Sequence, residues 1–142
     1  MKIFSAMFLF LALLMSGAKA HAGTVCGGPE SQKVERSVSQ MKSWSEISKS
    51  FHKNASCSRD NIVEVWTAYS EVIADLLAHH WDEFDDLVRL TSSDTKFRQF
   101  VVSHVGDQTL PAQVLVEVRS NAEKKCPAEA AKLCEEIVAA SR

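Results

Sequence analysis

The segment NIVEVWTAYSEVIADLL, residues 61–77, repeats its apolar side chains with the period of an α-helix. Ile62, Val65, Trp66, Tyr69, Val72, Ile73, Leu76 and Leu77 fall on one face, and Glu64, Glu71 and Asp75 on the other. Asn61 followed three residues later by Glu64 is the signature of a capping box, which satisfies two orphan N–H groups where a helix begins. The same period runs outward from this segment. Around His79 and His80 the helix ends or bends, and Trp81, Phe84, Leu87 and Val88 continue the apolar stripe. Asp94 is placed to cap a short helix carrying Phe97, Phe100, Val101 and Val105, with Gly106 as the left-handed residue that ends it. A helix after Thr109 puts Leu110, Val114, Leu115, Val118 and Ala122 on one side. Pro127 suits a first helical position and opens a last helix that buries Ala130, Leu133, Cys134, Ile137 and Val138. Upstream, Val34, Val38, Met41, Trp44, Ile47 and Phe51 keep a 3.6-residue period, and residues 53–60 read as a polar loop. No strand-like alternation competes. The expectation is an all-α fold of five to six helices, in a small bundle or a curved helical array, stabilised by disulfides.

The chain of 142 residues opens on Lys2, a largely apolar run at residues 3–15, and small residues at Ala18, Ala20 and Ala22. This is the plan of a cleaved export signal, and the run is shorter than the roughly 20 apolar residues a membrane-spanning helix needs. Residues 1–20 are therefore expected to be a signal peptide, with cleavage after Ala20 or Ala22, and residues 21–142 a single helical domain. Removing the signal at Ala20 takes away Lys2 and Lys19, leaving 14 basic and 18 acidic residues and a net charge of −4. A mildly acidic surface argues against nucleic acid and anionic lipid as partners, because both are held through basic patches. No second apolar run is long enough to span a bilayer. Val25 before Cys26 is too bulky for a lipoprotein cleavage site. Export places the domain in the periplasm or outside the cell, where disulfides persist.

Cys26, Cys57, Cys126 and Cys134 allow three pairings. If residues 127–134 form one helix, Cys126 and Cys134 lie about 12 Å apart at roughly 1.5 Å per residue. A disulfide needs Cα atoms within about 7 Å. That spacing disfavours 126–134, and with it 26–57, and points to 26–126 with 57–134 or 26–134 with 57–126. Each long loop so closed is worth about 4–5 kcal/mol in the chain-entropy picture. No Cys-x-x-Cys pair suggests redox chemistry.

The densest polar cluster is His79-His80-Trp81-Asp82-Glu83-Phe84-Asp85-Asp86. On a continuous helix, Asp75, His79, Glu83 and Asp86 share a face, and the pairs His79/Glu83 and His80/Glu83 have spacings a metal could bridge. Nothing else in the chain completes such a site, so no metal or cofactor is expected. The plainer readings are a solvated acidic face with histidines near a helix end, or an acidic patch that steers a basic protein partner. His104 shares a face with Phe97, Phe100 and Val101, as a core histidine with one satisfied hydrogen bond would. Ser, His and Asp occur without a triad signature, no glycine-rich phosphate loop exists, and paired carboxylates have no distinguishing pattern. Asn54-Ala55-Ser56 fits a glycosylation acceptor, relevant only in a eukaryotic host. No catalytic residue is identified.

Residues 97–105, 121–127 and Leu133-Cys134 resemble the C-terminal part of short exported helical proteins of Gram-negative bacteria that have no assigned function. The resemblance covers roughly residues 60–140 and implies a periplasmic location and no activity. In layout alone the chain is similar to small periplasmic immunity proteins, which are helical, exported and often disulfide-bonded. The expectation is a non-catalytic protein-binding module, immunity- or inhibitor-like, acting by occlusion on another periplasmic protein. Its contact surface would be Asp82, Glu83, Asp85 and Asp86, with His79 and His80 at the edge. The alternative is a carrier for a small apolar ligand, which the general plan shares with insect odorant-binding proteins. Behind it stands a metal-binding protein built on His79, His80 and Glu83.

Overall fold

A computed structural model describes residues 29–54 and 63–142. The expected signal peptide, Cys26, Cys57 and the capping residue Asn61 lie outside the described residues. Within them the chain is all-α: α1 (Pro29–Ser39), α2 (Trp44–Lys53), α3 (Val63–His79), α4 (Phe84–Ser93), α5 (Thr95–Val105), α6 (Ala112–Lys124) and α7 (Ala131–Ala140). Two 3-10 turns, Trp81–Glu83 and Ala128–Ala130, precede α4 and α7. The described residues thus hold seven α-helices, against the five to six expected.

The extra helix comes from a break in the backbone helix beneath the upstream apolar stripe. Ser43 adopts an extended backbone and accepts the Glu46 N–H, while Glu46 Oε2 accepts the Lys42 N–H at 2.8 Å and the Ser43 hydroxyl at 3.2 Å. This reciprocal cap starts α2 afresh. Val38 and Trp44 both reach the core from either side of the break, so the apolar period continues although the helix does not.

α3 packs against α1, α5 and α6, while α7 closes on α5 and α6, and α4 bridges α2 and α5. Contact on three sides explains why α3 buries Ala68, Ser70 and Ala74 beyond the stripe that periodicity predicts. Small side chains there let neighbouring backbones approach. Trp44, Ile47, Ile73, Leu76, Leu77, Leu87, Phe97, Val101 and Ile137 form the fully buried centre. An aromatic cluster lies over it. Phe51 meets Phe100 at 4.6 Å and Phe97 at 5.6 Å between ring centroids, and Tyr69 meets Phe100 edge-on at 5.0 Å. Such offset and edge contacts add about 0.5–1.5 kcal/mol per pair beyond burial.

Asp94 caps α5 as its position predicts, its Oδ1 accepting the Phe97 N–H at 2.9 Å. Its other oxygen lies 2.9 Å from His52 Nε2, tying the end of α2 to the start of α5. Gly106 departs from expectation. It ends α5 at φ −79° and ψ 8°, outside the left-handed region, and is held by its N–H to the Val102 carbonyl at 3.3 Å.

The cysteine pairing is also corrected. Cys126 and Cys134 form a disulfide with Cα atoms 6.2 Å apart. Residues 127–134 are not one helix. Pro127 is extended at φ −71° and ψ 146°, and a 3-10 turn intervenes before α7 begins at Ala131. The chain doubles back over these residues and brings the two cysteines within bonding reach. The expected bridges 26–126, 57–134, 26–134 and 57–126 are excluded, because each would use a cysteine already bonded.

Candidate acidic corner and the buried polar network

The acidic stretch sits at the corner between α3 and α4. α3 ends at His79, His80 is non-helical at φ −122° and ψ 44°, and Trp81–Glu83 form the 3-10 turn. The single face shared by Asp75, His79, Glu83 and Asp86 therefore does not exist, and Glu83 is joined to His80 through a 3-10 turn, its N–H donating to the His80 carbonyl at 3.0 Å. Among the described residues no three His, Cys, Asp or Glu side chains converge on a point a metal ion could occupy.

Asp82, Asp85 and Asp86 are exposed and Glu83 half-buried. Asp85 and Asp86 lie in the first turn of α4, where the positive end of the helix favours carboxylates. Asp86 pairs with Arg89 at 2.7 Å, one turn on. Asp82 and Asp85 have no ion pair among the described residues. The corner is held from behind. Trp81 stacks on Phe84 at 4.1 Å between centroids, and its indole Nε1–H donates to the Lys125 carbonyl at 3.2 Å. Asn121 on α6 donates both amide hydrogens to the end of α3, to Leu77 O at 2.9 Å and Ala78 O at 2.8 Å. These are carbonyls that a helix terminus leaves without intrahelical donors. The Cys126–Cys134 disulfide follows directly in the chain.

His79 is half exposed and lies between two carboxylates. Nδ1 is 2.8 Å from Asp75 Oδ1, and Nε2 is 3.1 Å from Glu117 Oε2 on α6. The hydrogen bond to Asp75 is the main cause that raises its pKa above the ordinary value. Partial burial opposes the rise, and the Asp75 and Glu117 charges with the Glu117 bond reinforce it. His80 is exposed.

A second constellation was not anticipated. Ser70 on α3 donates to Asp107 Oδ2 at 2.7 Å and lies 2.8 Å from His104 Nδ1 on α5. Ser70 and His104 are fully buried and Asp107 is 4% exposed. Because the one serine proton goes to the carboxylate, His104 Nδ1 carries a proton and donates to Ser70. The Trp66 ring stacks on His104 at 3.8 Å, and Phe100 meets it edge-on at 4.3 Å. Asp107 Oδ1 accepts both the N–H and hydroxyl of Thr109 at 2.9 Å. Burial alone would raise the Asp107 pKa, but the bonds from Thr109, Ser70 and Trp66 together outweigh it and hold the carboxyl below its ordinary value. Here the serine stands between the other two, whereas in a nucleophilic triad the histidine does. The arrangement ties α3, α5 and the following turn together. Ser70 gave one signal in the sequence: a polar residue inside the apolar face of α3.

Grooves open on the surface among the described residues. One of about 740 Å³ runs between α1 and α2, with Lys33, Lys49, Lys53 and Glu46 among its walls and Val34 and Met41 as apolar lining. Another, of about 350 Å³, lies between α5 and α7 beside the Arg98–Glu136 ion pair. Both carry polar and charged residues in their walls beside apolar surface. No family model, curated protein or solved structure matches this chain.

Proposed function

We propose that this is an exported, non-catalytic helical protein of the periplasm that works by binding another protein, in the manner of an immunity protein or inhibitor. The reading takes the helices as a small bundle around α3 with the α3–α4 corner as contact surface. One observation carries it: Asp82, Asp85 and Asp86 are exposed on a corner fixed from behind by Trp81, Asn121 and the adjacent disulfide. Charges presented on a rigid support lose little freedom on binding and steer a basic partner toward the surface. The Cys126–Cys134 disulfide supports an oxidising compartment. The leader-like N-terminus supports the same location.

The test is native mass spectrometry of the untagged protein purified gently from its own host, at low and high salt. A stoichiometric protein adduct that dissociates as salt rises supports the reading. An adduct of small-molecule mass instead would move the carrier reading forward.

A further inference from the structure

We infer that His79 is a proton-operated staple between α3 and α6. Its two ring nitrogens face carboxylates on different helices, Asp75 one turn back on α3 and Glu117 on α6, at 2.8 and 3.1 Å. A neutral imidazole has one N–H and donates to only one of them, whereas the imidazolium donates to both. When the proton leaves, Nδ1–H keeps the shorter bond to Asp75. The Nε2 lone pair then faces the Glu117 carboxylate, and the bond that crosses between helices is lost.

The surroundings favour this assignment. Gln113 on α6 donates to Glu117 Oε1 at 3.1 Å, which holds the carboxylate toward His79. The next charged groups in the chain, His80, Asp82 and Glu83, belong to the turn after α3 and make no hydrogen bond or ion pair with His79 among the described residues. α5 meets α3 through the buried Ser70–His104 contact and α1 buries Val38 in the core. Among the described residues neither helix places a charged side chain in hydrogen-bond or ion-pair contact with His79.

The sign follows from the raised pKa, to which Asp75 contributes most and Glu117 adds. The folded state binds the proton more tightly than the unfolded chain. The staple's stabilisation is therefore complete below the ordinary histidine value of about 6.5 and is lost as pH rises through the folded-state value. This device needs no partner, so it stands or falls separately from the proposed binding function.

The experiment is an NMR titration of the His79 Cε1–H in the mature protein and in E117Q, with thermal melts of wild type and H79Q at about pH 5.5 and about pH 8.5. His79 is expected to titrate above the ordinary value, with a lower midpoint in E117Q. The Tm advantage of wild type over H79Q is expected to be larger at the acid pH. A midpoint unmoved in E117Q, or a Tm advantage equal at both pH values, overturns the inference. E117Q replaces a partly exposed side chain with one of the same shape, so the comparison survives if H79Q folds poorly.

Discussion

Ser70 and Asp107, 37 residues apart in the chain, share a hydrogen bond of 2.7 Å in the sealed space between α3 and the end of α5. Ser70→Ala removes the donor to Asp107 and the acceptor for His104 together, leaving both partners short of a bond in a buried setting. The expected cost is about 1–3 kcal/mol in urea denaturation. A loss of a few tenths would show that the network is not cooperative with the fold.

Asp107 sets an acid-side pH dependence. Its folded-state pKa is lowered, so its contribution is present above the ordinary carboxylate value of about 3.9 and is lost as pH falls through the folded-state value. Asp107→Asn is expected to be less stable than wild type at neutral pH, and the gap should shrink in acid. Denaturation curves from about pH 7 to about pH 3 decide it. A gap that stays constant would contradict the assignment.

Removing the disulfide by C126A/C134A tests its worth. It closes a short loop, with a sequence separation of 8, and the chain-entropy picture gives about 2.5 kcal/mol. That is less than the long bridges expected from the sequence would supply. Denaturation of the double variant against wild type measures it.

Gly106→Ala distinguishes the observed helix end from the left-handed one that the sequence suggests. At φ −79° an alanine is unstrained, and its Cβ would meet Ser103 O at 3.6 Å and Ala140 O at 3.8 Å, ordinary contacts. The expected change is neutral to about 1 kcal/mol stabilising. A left-handed glycine would instead make the variant clearly less stable.

Helical periodicity was legible because it is a local property of the chain. The stripe of α3 and the Asp94 cap could both be read from residues a few positions apart. The start of α2 was equally local, since Ser43 and Glu46 have capping-box spacing, but the unbroken apolar period from Val38 to Trp44 concealed it. The disulfide was not legible because Pro127 breaks the helix and, with the 3-10 turn after it, redirects the chain so that the two cysteines meet. Of the polar network, His104 was legible as a buried, hydrogen-bonded core histidine and Ser70 as a polar residue in an apolar face, but their meeting with Asp107 was not. Ser70, His104 and Asp107 meet only through the packing of α3 against α5, and no spacing in the sequence encodes that crossing. The acidic stretch was visible, but the helix ends at His79 rather than carrying it onto one face. Its carboxylates form a corner instead of a stripe.

The most direct test of the binding account is charge reversal at Asp82, Glu83, Asp85 and Asp86, read as association kinetics with the partner identified by native mass spectrometry. Circular dichroism and Tm would establish that the fold is retained. The account predicts an on-rate lower by at least about tenfold in the variant, with the wild-type rate falling steeply as salt rises. An unchanged on-rate in a folded variant would contradict it and place the contact surface elsewhere on the molecule.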